Sequence, residues 1–207
     1  MAARVATDLI AHVEVDLTGC RIVRCSPGVA IVTPPSGPAF EVEERRERRR
    51  LIDLRILAVH VHGPGTDAAD AAVVFHHSGQ LRRTGLVARL KGRDADAAAA
   101  MRDRLTGDGA LEAASLVLDF TRFEVRRHDG AWRATLELMG ASHVRTTFPP
   151  SSKYVRLDPQ QRAALLATVA VLHDRLPGRE PDAPSSSSAS PRPPRAGGAR
   201  HLPRRRD

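Results

Sequence analysis

Four histidines are the residues in this sequence that come closest to a metal site. His60 and His62 lie two positions apart on a predicted strand, which places both imidazoles on one face. His76 and His77 end a second predicted strand. Two imidazoles at this spacing, with a third from a neighbouring strand, can hold a transition metal. A metal-dependent enzyme or sensor that uses His60 and His62 with His76 or His77 is therefore one hypothesis.

The pattern around the histidines favours a simpler interpretation. Three aliphatic residues alternate with His60 and His62 in residues 57–62, so a core on the aliphatic side leaves both imidazoles facing water. No third ligand or carboxylate is evident beside them, because a Gly-Pro-Gly turn follows directly at residues 63–65. We expect surface histidines and no cofactor.

A second polar group surrounds a proline-containing loop at residues 148–150. Its members are His143, Arg145, Lys153, Tyr154 and Arg156. Cations close to a loop suit an anion or a peptide ligand. The alternative, which we favour, is a buried tyrosine that holds the proline loop, with solvated cations beside it.

Sequence motifs for other chemistries are missing. The chain contains neither a Gly-x-Ser-x-Gly motif nor a phosphate-binding loop with its lysine and helix. Cys20 and Cys25, the only cysteines, would point to opposite faces of a strand and cannot form a zinc site unaided. The sequence therefore leans away from an enzyme without excluding one.

Composition describes a globular protein with a separate tail. The 207 residues are 42% hydrophobic and 27% charged, with a net charge of +8. Residues 178–207 are rich in Pro, Ser and Arg and hold seven arginines against three acidic residues, so half of the net charge lies there. We expect a single domain at residues 1–177 and a disordered tail at 178–207. Nucleic-acid contact is expected only as weak, salt-sensitive binding through the tail.

The expected cellular location is inferred from the absence of targeting and membrane-spanning segments in the sequence. The apolar run at residues 9–11 is too short for a signal peptide, and no run approaches the roughly 20 apolar residues that span a bilayer. Two cysteines in the whole chain suit a reducing compartment. We expect a cytoplasmic protein that makes no membrane contact.

The clearest structural element is a hairpin at residues 116–139. Asp129-Gly130 separates two alternating runs, the strongest short-range hairpin signal. A two-residue turn there predicts the following cross-strand pairs: His128–Ala131, Val125–Ala134, Glu124–Thr135, Phe123–Leu136, Arg122–Glu137 and Thr121–Leu138. One face of the hairpin is then apolar and needs a cover.

The cover is predicted to be helical. Asp158, Pro159 and Gln161 form a helix-start signature, and an apolar stripe follows it: Leu165, Leu166, Val169, Leu172 and Leu176. Further helices are predicted at residues 3–14, 95–105 and 110–115, and strands at 20–24, 29–33, 72–77, 84–90 and 154–157. The fold class is α+β: a twisted antiparallel sheet with the long C-terminal helix and the middle helix on one face.

Residues 41–50 are ambiguous between strand and helix. Their Glu and Arg content favours helix, whereas the β-branched and leucine-rich residues 51–61 that follow favour strand. We predict two strands joined by a charged tip.

Four stretches resemble a family of uncharacterised actinobacterial and proteobacterial proteins that is known as a domain of unknown function. They are residues 79–85, 118–122, 140–144 and 154–157 with the helix that follows, and the resemblance covers about residues 75–175. It implies a bacterial cytosolic α+β domain and assigns no catalytic residue. The order of elements also resembles that of type III secretion chaperones. That likeness implies a chaperone- or adaptor-like, non-enzymatic module that binds a protein partner or a second copy of itself.

Overall fold

The computed structural model describes residues 8–65, 69–79 and 84–176. Nine strands and four helices occur in these residues. The helices are α1 (Leu9–Asp16), α2 (Ala95–Thr106), α3 (Ala110–Ser115) and α4 (Pro159–Arg175). The strands are β1 (Arg21–Ser26), β2 (Val29–Thr33), β3 (Phe40–Arg49), β4 (Ile52–Pro64), β5 (Ala71–Ser78), β6 (Gly85–Gly92), β7 (Phe120–His128), β8 (Ala131–Thr146) and β9 (Ser151–Val155).

All nine strands form one antiparallel sheet, which confirms the predicted α+β class. The order is β1-β2-β3-β4-β8-β7-β5-β6, and β9 pairs with the second half of β8. Of the ambiguous residues 41–50, all but the last fall in β3, which pairs with β4 along its length, so the two-strand prediction is correct. Tertiary pairing overrides the helical propensity of the Glu and Arg residues here.

The central hairpin has the predicted turn and nearly the predicted register. Asp129 and Gly130 have φ of 50° and 70°, the left-handed pair that a tight hairpin turn needs. The pairs from His128–Ala131 to Arg122–Glu137 are those expected. Thr121–Leu138 is wrong, because a bulge shifts the register and Phe120 lies opposite Leu138 instead.

The helices cover one face of the sheet around one aliphatic core. α4 begins with the predicted capping box between Asp158 and Gln161, and its Leu165, Val169 and Leu172 are buried. α4 packs against α3 and β4, α2 packs against β5 and β6, and α1 packs against β8. The cover is therefore shared among four helices, whereas the sequence suggested that α4 covers the hairpin with the help of α2.

The N-terminal helix begins at Leu9, after its cap Asp8, and ends at Asp16, two residues beyond the predicted end. Residues 1–7 and the predicted tail at 178–207 lie outside the described residues. None of the helices described is both long and apolar enough to cross a membrane.

One close contact inside the core gives a test of the packing. A Cβ added at Gly63 would lie 2.9 Å from Nε1 and 3.0 Å from Cε2 of Trp132, which is buried. We expect Gly63→Ala to push the indole out of place and to lower the free energy of unfolding by about 1–3 kcal/mol. Urea denaturation followed by circular dichroism measures this loss.

The matched control is the same substitution in a Trp132→Phe background. The smaller ring leaves room for the new methyl group, so Gly63→Ala should cost less there. An equal loss in both backgrounds would show that the strand itself, not the indole, requires glycine.

Candidate functional site

The face of the sheet that the helices leave open carries a charged groove. Because side chains alternate along each strand, burying one set on the helical side turns the other set outward. The outward set from β3, β4, β8 and β7 lines a groove of about 720 Å³. Its acidic, basic and histidine members are Glu41, Glu43, Arg45, His60, His62, Arg122, Glu124, Arg126, His128 and Arg133.

Glu124 is the best-held carboxylate of the groove. The Arg122 Nη2 donates to its Oε2 at 2.6 Å, and the Arg126 Nη2 donates to its Oε1 at 2.9 Å. Burial would raise the pKa of Glu124, but these two arginines outweigh burial, so the pKa lies below its usual range. Glu124 is therefore a fixed anion on the floor of the groove.

The other arginines of the groove also lie beside carboxylates, at different distances. Arg45 forms an ion pair with Glu137, and Arg122 Nη1 lies 3.5 Å from Glu137 Oε1. Arg133 Nη2 lies 3.8 Å from Glu41 Oε1, which is too long for a hydrogen bond. The pairs leave the groove with charges of both signs rather than one dominant sign.

His60 is covered by its neighbours. It lies on the outward face as predicted, yet it is only 4% exposed, so the expectation that it faces water is wrong. Its Nε2 lies 3.0 Å from Glu43 Oε2, and its Nδ1 lies 3.2 Å from Thr135 Oγ1. Burial and the nearby Arg133 hold the pKa of His60 below its ordinary value, against the opposing pull of Glu43.

The sheet does not bring the four candidate metal ligands together. β4 and β5 are separated by β8 and β7, and His76 lies two residues beyond the position level with His60, so the two backbones are more than three strand spacings, or about 14 Å, apart. His77 points to the helical side, where its Nε2 lies 2.9 Å from the Leu118 carbonyl oxygen. His62 is exposed beside His60. Within the described ranges, no group of three or more His, Cys, Asp or Glu residues is placed to hold a metal ion.

Thr135, His60 and Glu43 touch in the order of a nucleophile, a base and an orienting acid. Catalysis of acyl transfer also needs backbone donors aimed at the developing oxyanion. Thr135 lies in the middle of β8, paired with His60 on one side and with Glu124 on the other. The backbone N–H groups around Thr135 are used in the hydrogen bonds to β4 and β7, so they cannot stabilise an oxyanion. The contact between Thr135 and His60 is therefore better suited to holding the imidazole in place than to catalysis.

The second predicted group is split between three surroundings. Tyr154 and Arg156 join Asp16, Arg145 lies in a row with Ser152, and Lys153 points to the other side of β9. His143 lies opposite Tyr154, and its Nε2 is 3.2 Å from Ser152 Oγ. Burial, helped by Arg55 and His12, holds the pKa of His143 below its ordinary value.

Tyr154 holds a helix rather than the proline loop. Its hydroxyl donates to Asp16 Oδ2 at 2.7 Å, and its ring stacks on His12 at 4.3 Å between centroids. Asp16 also accepts the backbone N–H of Leu157 at 2.9 Å. These contacts tie the end of α1 to the segment between β9 and α4.

Sequence reasoning missed Asp16 and the glutamates of the groove. Asp16 ends a short helix far from Tyr154 in the chain, and no local signal connects the two residues. The alternation of the hairpin assigns Glu124 and Glu137 only to a solvated face. The predicted register places Glu124 opposite Thr135 and Glu137 opposite Arg122. This register is the only sequence feature that indicates a surface shared by the glutamates and the arginines.

The lowered pKa of His60 predicts a stability that depends on pH. In the unfolded chain His60 takes up a proton near its ordinary pKa of about 6.5, whereas the folded protein keeps it neutral to lower pH. The contribution of His60 to the free energy of unfolding is therefore fully present above that pH, and it is lost progressively as the pH drops below it. The slope cannot exceed about 1.4 kcal/mol per pH unit for each such histidine. His143 adds in the same direction.

Urea denaturation between pH 7.5 and pH 5 measures this slope. His60→Gln should make it shallower, because Glu41, Glu43, Arg133 and Thr135 then surround a group that does not titrate. His62→Gln, an exposed neighbour on the same strand, is the control and should retain the wild-type slope. Equal slopes in both variants would contradict this role of His60.

The Asp16 contacts predict a graded loss of stability. Tyr154→Phe removes one donor and should cost about 1 kcal/mol. Asp16→Ala leaves the Tyr154 hydroxyl and the Leu157 N–H without their acceptor, so the loss should be larger, about 2–4 kcal/mol. Thermal or urea denaturation gives both values. An Asp16→Ala variant no less stable than Tyr154→Phe would show that Asp16 does not hold the two segments together.

Comparison with known proteins places the chain in a family. A search of curated proteins and a search of solved structures each found no match. A family model with the description "Protein of unknown function (DUF3156)" matches residues 15–176. The match includes every strand of the sheet, helices α2 to α4 and all residues of the groove. It also confirms and extends the resemblance seen over residues 75–175. The chain therefore belongs to the DUF3156 family of proteins of unknown function.

Proposed function

We propose that the protein is a non-enzymatic binding module, chaperone- or adaptor-like, that holds a segment of a protein partner on the open face of its sheet. The observation that carries this proposal is the charged groove. It crosses β3, β4, β8 and β7, a width of about 14 Å between the outer strands. An extended polypeptide segment fits a shallow surface of this width.

The floor of the open face supports partner binding as well. Ala58, Val74 and His60 are almost fully buried on this side, while long charged side chains rise around them. Val87 on β6 is 47% exposed and lies opposite His76, which extends the face with an apolar position. The floor thus combines small apolar residues with polar groups that are held by their neighbours, such as His60 and Glu124, and a charged rim surrounds it; this mixture suits a protein-binding surface.

The sign of the charges favours a polypeptide over a nucleic acid. Glu41, Glu43, Glu124 and Glu137 are interspersed with the arginines and would repel a phosphate backbone. A polypeptide with side chains of both signs can match them in turn. Proteins that bind single strands also stack bases on aromatic rings, whereas Trp132, the aromatic residue that borders this groove, is buried.

Site-specific photo-crosslinking tests the proposal. A benzophenone amino acid replaces His62 in the groove, and a matched variant carries it in place of Asp96, which is exposed on α2 on the helical side. Both chains are expressed in the cells from which the protein comes and are irradiated there. We expect a discrete crosslinked polypeptide from position 62 and none from position 96.

The mass of the product identifies the kind of partner. A product of twice the chain mass indicates a second copy, and any other discrete mass indicates a different protein. An Arg133→Glu substitution in the crosslinking chain should reduce the yield, because it reverses the charge beside position 62. Identical products from both positions, or none from position 62, would overturn the proposal.

A further inference from the structure

A second recess lies on the helical side of the sheet, beyond the end of the core. It encloses about 600 Å³ where the tip of β3 and β4 meets β8 and β9. Its polar lining includes Arg46, Arg48, Asp53, Arg145, Ser151 and Ser152. This recess and the groove are on opposite faces of the sheet, so a ligand in the recess would be separate from the partner proposed for the groove.

The pairing of the strands builds a row of cations around one carboxylate. Arg48 lies opposite Asp53, Asp53 lies opposite Arg145, and Arg145 lies opposite Ser152. Side chains that are paired across strands point to the same face. The row therefore directs the two guanidinium groups and the Ser152 hydroxyl into one recess.

Asp53 is already neutralised by a third arginine. The Arg46 Nε donates to Asp53 Oδ1 at 2.9 Å, and its Nη2 contacts the other carboxylate oxygen. This two-point contact is the geometry in which an Arg–carboxylate pair is strongest. Arg48 and Arg145 attract Asp53 through space, but among the described residues neither makes a hydrogen bond or a direct ion pair. Two guanidinium groups are thus left without a carboxylate of their own.

Hydroxyl groups complete the donor set. Thr146 Oγ1 donates to the Pro149 carbonyl oxygen at 2.5 Å and lies 3.0 Å from Ser151 Oγ. Ser152 Oγ lies 3.2 Å from His143 Nε2. Because β9 is paired with β8 at Ser151 and Ser152, the positions of these hydroxyl groups are set by the sheet. The Thr146 proton is committed to Pro149, whereas the Ser152 hydroxyl, which lies on the same face as Arg145, can rotate to donate to a ligand oxygen.

We propose that this recess binds the phosphate group of a small phosphomonoester or of inorganic phosphate. Two planar guanidinium forks and the Ser152 hydroxyl offer more donors than the two oxygens of a carboxylate can accept, whereas a phosphate group presents three or more acceptor oxygens. The Arg48 and Arg145 backbones are two strand spacings, or about 10 Å, apart, and their long side chains can converge on one tetrahedral anion.

Titration of the full chain with inorganic phosphate, followed by isothermal calorimetry at constant ionic strength, tests the site. Arg48→Gln and Arg145→Gln should each weaken binding about tenfold or more, since each removes a charge-assisted hydrogen bond. Arg104→Gln, an equally exposed arginine on α2, is the matched control and should leave the Kd within about twofold of wild type. The control also accounts for unspecific attraction to the other arginines of the chain.

Further titrations distinguish the sources of the phosphate group. Tighter binding of phenyl phosphate than of inorganic phosphate, lost in Arg48→Gln and Arg145→Gln, assigns the site to a monoester. Equal affinities assign it to the free ion. Wild-type protein that binds neither anion, or variants that bind both as wild type does, would overturn the proposal. An oligothymidylate that binds more tightly than both anions and depends on the same arginines would overturn it in favour of a nucleic acid.

Discussion

Strand β8 is the element on which the rest of the structure depends. It pairs with β4 along most of its length, with β7 through its first half and with β9 through its second half. The change of partner occurs at residues 139–141, where Ala141 has φ of 61° and Leu57 and Arg55 of β4 pair with Leu138 and His143. Such an irregularity bends a strand and increases its twist. The buried Ser142 hydroxyl donates to the Leu138 carbonyl oxygen at 2.6 Å, and this hydrogen bond joins the two ends of the irregular segment.

This bend separates the two candidate sites. The first half of β8 supplies Arg133 and Thr135 to the groove on the open face. The second half supplies Arg145 to the recess on the helical side, where no helix among the described residues covers the end of the sheet. Gly140 lies at the bend, and a Cβ there would come within 2.9 Å of Leu157 Cδ2. A side chain at position 140 would therefore have to displace the buried Leu157 side chain of the segment before α4.

The open face shows how the sheet accommodates buried charge. Removing a carboxylate or an imidazole from water is costly unless it is paired and hydrogen-bonded. Glu124 and His60, at 8% and 4% exposure, meet this cost differently: Glu124 stays ionised between two arginines, and His60 stays neutral between Glu43 and Thr135. The face is therefore preorganised, with its charges held in place before any partner arrives. Preorganised polar groups lose little on binding, which suits a recognition surface.

Local signals in the sequence were sufficient for most of the elements and for the pairing of β7 with β8 and of β3 with β4. Asp129-Gly130 determined the hairpin register because left-handed φ angles at both turn residues are cheap only for such a pair. Asp158, Pro159 and Gln161 determined where α4 begins. The bulge at Thr121 escaped prediction, because a two-residue turn determines register only until one strand gains an extra residue.

The amino-acid sequence by itself determined the alternation of the strands, and with it which side chains share a face. Only the tertiary structure decided which residues of each face lie close enough to interact. His60 and His76 share an outward face, yet two intervening strands keep them apart, while Asp16 meets Tyr154 across 138 residues of chain. The order of the strands in the sheet and the bend in β8 set these distances. Both arise from packing between distant segments, which no local pattern of residues encodes.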